Sequence, residues 1–263
     1  MEFPKTKKMN QSQRTLLLTL LAFACHYGVD KAWFGPLRSW FHQQLQLVGI
    51  SHSLAYTLVG IPIFLGVLAL HGRADFFRHL GLDGSLFQGF YFSLICCLPM
   101  FIGFALVFDY NHGFSWNQLW INVLAAAFFE ELYFRGFLFG QIFRYSKWGF
   151  LSSVSIGALL FGMAHFYQGN DLLESLGIFG ITFLGGILFA WVFVEWNYNL
   201  WVPIFLHLLM NLVWSLFAVA ENALGGVYAN VFRLITILAV IALTLLYKRK
   251  KGLAPEIGKA NWR

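Results

Sequence analysis

Eight stretches of predominantly apolar residues recur along the chain, at roughly 15–34, 52–70, 86–108, 117–139, 149–167, 174–195, 200–221 and 227–247, each near the ~20 residues a helix needs to cross a bilayer. No other feature constrains the fold as strongly. Inside lipid a segment must satisfy its own backbone amides, so the series predicts an all-α, polytopic integral membrane protein with about eight transmembrane helices. Composition agrees. Apolar residues make up 59% of the 263, charged residues 11%, and the mean hydropathy is +0.65. Soluble domains carry about 25% charged residues, so a water-soluble globule is excluded. Thirty Phe, ten Trp and ten Tyr exclude a disordered chain. Cys25, Cys96 and Cys97 offer neither a disulfide framework nor a metal-knuckle spacing.

Eighteen Lys and Arg stand against twelve Asp and Glu, a net charge of +6. Placing the N-terminus, the 71–79 and 144–147 loops and the C-terminus on one side gives that side 14 of the 18 cations, while the other side holds Lys31, Arg38 and Arg233 and a span holds Arg135. This asymmetry predicts an N-in, C-in orientation. No basic groove with interleaved aromatics suggests a nucleic-acid partner; the expected surroundings are the lipid bilayer of the cell membrane. Lys5, Lys7, Lys8 and Arg14 precede the first stretch as in a signal peptide, but no small-residue cleavage site follows and Asp30-Lys31 closes the run, so a retained helix is expected. Trp33, Trp116, Trp148, Trp196, Trp201 and Tyr247 near span ends fit aromatic belts. The region 35–51 reads as an interfacial helix or loop. Gly136-xxx-Gly140 and Ser153-xxx-Gly157 read as close-packing positions. With no internal repeat and no separate soluble region, residues 1–263 form a single transmembrane helical domain.

Ionisable groups within spans are functional candidates by default, because burying one costs about 2.5–3.5 kcal/mol on insertion scales. The fourth stretch contains Phe128-Phe129-Glu130-Glu131-Leu132-Tyr133-Phe134-Arg135. Glu131 and Arg135, at i and i+4, can pair on one helix face. Glu130 points about 100° away and is free for a different partner. The fifth stretch ends in Phe161-Gly-Met-Ala-His165 and the seventh holds His207-Leu-Leu-Met-Asn211. Each alone is explained by packing or interhelical hydrogen bonding. Together, Glu130, His165, His207 and Asn211 converging on one polar cavity would satisfy one another and hold water. Asp30, Asp109, Glu195 and Glu221 fall near span ends, where charge costs little; His26 and Cys25 are expected to pack, and His112 and Asp171 to lie in loops.

Glu-Glu-xxx-Arg, then Phe-xxx-His, then His-xxx-Asn, in this order on the fourth, fifth and seventh spans, resembles the CAAX protease and bacteriocin-processing family, glutamic-type intramembrane endopeptidases that include the Ras-converting CAAX endopeptidases. The resemblance covers about 130–211, within a family-like core at about 117–221. It implies an endopeptidase that hydrolyses a peptide bond in a membrane-embedded or lipid-anchored substrate. Glu130 would activate the attacking water, His165 would hold water and shuttle protons, and His207 and Asn211 would form the oxyanion hole. Glu131 and Arg135 would support the site, with no cofactor. Prenylated CAAX tails are one substrate class of the family; bacteriocin leaders and C-terminal sorting tails are others.

Three other readings remain open at this stage. A zinc metalloprotease would use Glu130, His165 and His207 as ligands, although no His-Glu-xx-His is present. A non-catalytic scaffold of the same family would bind a partner through the same cavity. A proton-coupled transporter would use the buried carboxylates, though no repeats support it. One tension is visible: the three motifs lie at depths that differ by roughly 10 Å on these boundaries, which calls for a later start to the fifth span, or for tilted or broken helices.

Overall fold

The computed structural model describes residues 9–262, so Lys5, Lys7, Lys8 and Arg263 of the charge count lie outside the described residues. The architecture is all-helical; the nearest approach to a strand among the described residues is one antiparallel bridge, Tyr110 with Phe217.

Helix α1 (Gln11–Leu45) starts at a capping box in which Asn10 and Gln13 bond each other's backbone amides. It runs through Asp30, Lys31 and Pro36, beyond the expected end at 34 and into the region expected to be interfacial. Its charged pair leaves the helix backbone bonds intact, and it stops where Gln46 turns left-handed at φ 55°. The second stretch is two helices, α2 (Val48–Val59) and α3 (Ile61–His71), bent by 41° at Gly60. Pro62 in the first turn of α3 has no amide to carry a straight helix across the break. Gly60 faces the Tyr133 ring so closely that any side chain there would collide with it. The short α4 (Phe76–His79) leads to α5 (Leu86–Val107), capped by Ser85.

The fourth stretch is a continuous helix, α6, over 116–145, in which π-helical turns at Leu119–Ala125 and Glu131–Phe139 alternate with α-helical ones. Turns of this kind favour functional sites, because a wider turn re-aims side chains. Then come α7 (Phe150–Ala164) with a 3₁₀ turn at Phe166–Gln168, α8 (Leu172–Glu195) capped by Asp171, α9 (Trp201–Leu216) and α10 (Val227–Lys250). Helix α9 ends at Leu216 rather than at 221. There Phe217 becomes extended, Ala218 N–H donates to the Asp109 carbonyl and Asn111 N–H to that of Leu216.

Helix α6 is the hub. It contacts α1, α2 and α3 on one side, α9 on another, and α7 and α8 on a third, while α9 and α10 pack on α5. Its Leu132, Tyr133, Phe137, Leu138, Phe139 and Ile142 form the centre of the largest core cluster. Helices α5, α7 with its turn, α8 and α10 are each long and apolar enough to cross a membrane, and the bent α2–α3 pair makes a fifth candidate. Large apolar side chains face outward along them: Leu106 is 80% and Leu184 64% exposed. Such a surface suits lipid and not water, and the chain is a membrane protein.

Two minor expectations are corrected. Glu195 does not sit cheaply at a water-exposed span end: it is 3% exposed and pairs with Lys248 at 2.7 Å. Cys25 faces outward instead of packing, whereas its neighbour His26 is buried with Nδ1 bonded to the Val59 carbonyl at 2.8 Å.

Candidate active site

Glu130 is the last residue of an α-helical segment of α6 and Glu131 the first of the π-helical segment that follows. Glu131 is fully buried, and its Oε1 takes an N–H from Arg135 at 3.0 Å and the Nδ1 hydrogen of His207 at 2.8 Å. Arg135 is 2% exposed, and its guanidinium lies 4.3 Å from the Phe161 ring centre on α7 and 5.5 Å from that of Phe189 on α8. A charge so deeply buried is tolerable because an anion and two aromatic faces surround it. The Glu131–Arg135 pair is therefore present as expected.

Glu130 does not take a separate partner. It faces the same histidine from the other side: its Oε2 lies 3.9 Å from His207 Nε2, too far for a hydrogen bond, and that oxygen is buried without a partner. One imidazole thus spans both glutamates, bonded to Glu131 and separated by a gap from Glu130. Because Glu131 Oε1 can only accept, His207 carries its hydrogen on Nδ1, and in the neutral ring Nε2 is an acceptor pointing into the gap.

The other two site residues are near but not joined to this trio. His165 ends α7, and its Nδ1 donates to the Phe161 carbonyl at 2.7 Å. That carbonyl is free because the His165 backbone N–H bonds Gly162 instead. The imidazole lies 4.6 Å from the Phe161 ring, the same ring that covers Arg135, so one side chain connects His165 to the charged pair. Neutral His165 also offers Nε2 only as an acceptor. Helix α7 begins at Phe150, so a later start does not resolve the depth difference noted in the sequence. Asn211, one turn beyond His207, donates Nδ2 to the Asn122 carbonyl at 2.9 Å, in the first π-helical segment of α6. Its second amide hydrogen is left over.

Among the described residues no group of three or more His, Cys, Asp or Glu is placed to hold a metal ion.

Three contributors lie outside the motifs: Phe189 at the guanidinium, the Asn122 carbonyl, and Tyr56; Phe161 belongs to the Phe-xxx-His motif, but its contact with Arg135 was not legible there. Tyr56 stacks on Phe129, the residue before Glu130, with ring centres 5.0 Å apart and planes at 15°. The only signal for it in the sequence is a phenol within a stretch read as a span.

Residues 111–213, which contain Glu130, Arg135, His165, His207 and Asn211, match the family model described as "Rce1-like: Type II CAAX prenyl endopeptidase Rce1-like". That is the family the motifs resemble, and it is a family of membrane proteases. No curated protein and no solved structure matches the chain.

Proposed function

We propose, with the likeness of residues 111–213 to type II CAAX prenyl endopeptidases as premise, that the chain is an intramembrane endopeptidase of the glutamic type. The observation that carries the reading is the gap of 3.9 Å between Glu130 Oε2, a buried oxygen without a hydrogen-bond partner, and His207 Nε2. A water at ordinary hydrogen-bond distance of about 2.8 Å from each fits off the line between them and can donate to both. Glu130 takes the proton as this water attacks the substrate carbonyl. Glu131 fixes the tautomer and orientation of His207, the role a buried carboxylate plays toward a catalytic imidazole elsewhere. The leftover amide hydrogen of Asn211 is a donor for the oxyanion, and His207 becomes a second one when the proton held by Glu130 passes to its Nε2 on the way to the leaving amine. Asn122 and Arg135 hold Asn211 and Glu131 in place. His165, with Nε2 free, carries the proton toward the leaving amine.

The substrate in this reading is a peptide held at the membrane by a lipid or by its own apolar segment, with a prenylated CAAX tail the class the family favours. The eight helical stretches then form a multi-pass protein of the cell membrane with both termini on the cytoplasmic side, where most cations lie. The scaffold reading uses the same cavity without turnover, and one experiment separates the two. Protein termini are profiled in membranes of cells expressing wild type or Glu130→Gln. New termini that appear only with wild type support proteolysis and identify the substrate; identical profiles, with both proteins folded and equally abundant, overturn it.

A further inference from the structure

The two histidines of the site share a limitation. In both, Nδ1–H is committed to an acceptor, Glu131 for His207 and the Phe161 carbonyl for His165, so in the neutral state each presents only an unprotonated Nε2. One hydrogen of the Asn211 amide is spent on the Asn122 carbonyl. At the start of a reaction, one amide hydrogen is then the whole supply of neutral donors from the motif residues. An oxyanion is served best by two or more donors already in place, because donors that form late cost reorganisation.

Helix α2 brings a further one. Tyr56 is held on three sides. Its ring stacks on Phe129 at 5.0 Å, its edge meets the His52 and Phe34 rings at 5.0 and 4.7 Å, and its carbonyl accepts the Tyr133 hydroxyl at 2.7 Å. Phe129 and Tyr133 flank Glu130 in the sequence of α6, so these contacts fix Tyr56 beside the glutamate. Among the described residues no atom hydrogen-bonds the Tyr56 hydroxyl. That hydroxyl lies within electrostatic reach of the Glu130 carboxylate, and of Asp30 on α1 and the largely exposed Tyr167 that follows His165. The phenol therefore stands beside Glu130 on the α2 side of α6, its ring fixed by these contacts and its hydroxyl hydrogen uncommitted among the described residues.

We propose that Tyr56 is a catalytic residue of this site: its hydroxyl donates a hydrogen bond to the oxyanion of the tetrahedral intermediate, across from the Asn211 amide. This assignment rests on the endopeptidase reading. It places a working group on α2, outside the segment 111–213 that matches the family. No proton changes hands in this role; the hydroxyl keeps its hydrogen while the carbonyl oxygen becomes an anion and returns to a carbonyl on collapse.

The test compares purified wild type, Tyr56→Phe and Glu130→Gln on a quenched fluorogenic peptide ending in an S-farnesylated CAAX tail, in mixed micelles. Tyr56→Phe keeps the ring and its stack on Phe129. The expected result is a kcat lower by about 100-fold or more, the loss typical of a deleted oxyanion donor, with KM and the thermal unfolding midpoint unchanged. A purely structural Tyr56 would move the midpoint or KM instead. Wild-type kcat in Tyr56→Phe, with Glu130→Gln inactive, overturns the Tyr56 assignment and leaves the endopeptidase reading standing. Cleavage by Glu130→Gln at the wild-type rate, or none by wild type, overturns both.

Discussion

Oε1 of Glu131 and Nδ1 of His207 meet at 2.8 Å, and the same oxygen takes an Arg135 N–H at 3.0 Å. One buried atom thus ties α6 to α9 and fixes both an arginine and an imidazole. Adjacent glutamates are therefore expected to respond in opposite ways. Glu131→Ala strands a guanidinium that is 2% exposed, and Arg135→Ala strands a fully buried carboxylate. Breaking a buried pair in this way costs about 3–5 kcal/mol. Both variants should lose yield and unfold at markedly lower temperature in detergent, whereas Glu130→Gln, which removes no bond, should unfold at or above the wild-type midpoint. Equal midpoints for all three would refute the clamp.

Close approach between α7 and α8 supplies a second prediction. A Cβ on Gly186 would come within 3.2 Å of Ala158 and 3.6 Å of the Arg135 guanidinium, whereas one on Gly157 would meet nothing nearer than 3.9 Å. Gly186→Ala should therefore displace α7 or the arginine and lower stability by about 1–3 kcal/mol, the usual cost of overpacking. Gly157→Ala should be neutral or slightly stabilising, since alanine favours the helix. Thermal unfolding of the two variants side by side checks this, and a more stable Gly186→Ala would contradict it.

Much of this was readable from residue order, for identifiable reasons. The i, i+4 spacing of Glu131 and Arg135 survives in the folded helix because both are locked to each other. His207 and Asn211 stay on one face of α9 because α9 is a regular helix. What sequence periodicity misjudged was the direction of Glu130. An ideal helix sends adjacent residues about 100° apart, toward different neighbours. Here the pair straddles a change from α to π turns and one bulky imidazole reaches both. The Phe-xxx-His motif marks Phe161 but not its contact with Arg135, and Phe189 and Tyr56 were invisible because an aromatic in an apolar span carries no mark distinguishing a lipid-facing ring from one against a buried charge. Helix ends were misjudged where backbone pairing in three dimensions decided them, as at Phe217.

His79 offers a pH-dependent readout away from the spans. Its ring stacks on His71 at 3.8 Å with planes at 7°, and Nδ1 shares a hydrogen bond of 2.9 Å with the Tyr145 hydroxyl. Burial above all, then the charges of His71, Arg144 and Arg78, hold its pKa below the ordinary 6.5, with Asp75 opposing. A depressed histidine pKa means that the unfolded chain binds the proton more readily. Above about 6.5 both states are neutral and the group adds no pH dependence; below that value stability falls as pH falls, until the folded state is protonated too. The unfolding midpoint should drop on acidification from about pH 7 to pH 5, and more steeply in wild type than in His79→Gln. Parallel slopes in the two proteins would remove His79 from the account.

The C-terminal segment is held by a second buried ion pair, and its removal should be felt at the far end of the chain. The side chains of Lys248 and Glu195 are 4% and 0% exposed and lie 2.7 Å apart. Glu195 also accepts the backbone N–H groups of Glu256 and Ile257, both at 3.1 Å, so one carboxylate anchors the segment after α10. That segment then returns to α7. The Phe150 and Leu151 amides donate to the carbonyls of Asn261 and Trp262 at 2.8 and 3.1 Å, and the Trp262 ring stacks on Phe150 at 5.9 Å. Helix α7 has no side-chain cap of its own, since Gly149 precedes it, so these carbonyls do the capping. Lys248→Met leaves a buried carboxylate with backbone donors but no counter-charge, and should cost about 3–5 kcal/mol. Truncation after Gly252 keeps the ion pair but frees the first amides of α7, with a smaller loss of about 1–2 kcal/mol expected from a missing cap. Denaturation of the two variants in detergent should rank them in that order. If the truncated chain proves the less stable of the two, the segment stabilises the protein chiefly by packing Ile257 and Trp262 rather than through the carboxylate that anchors it.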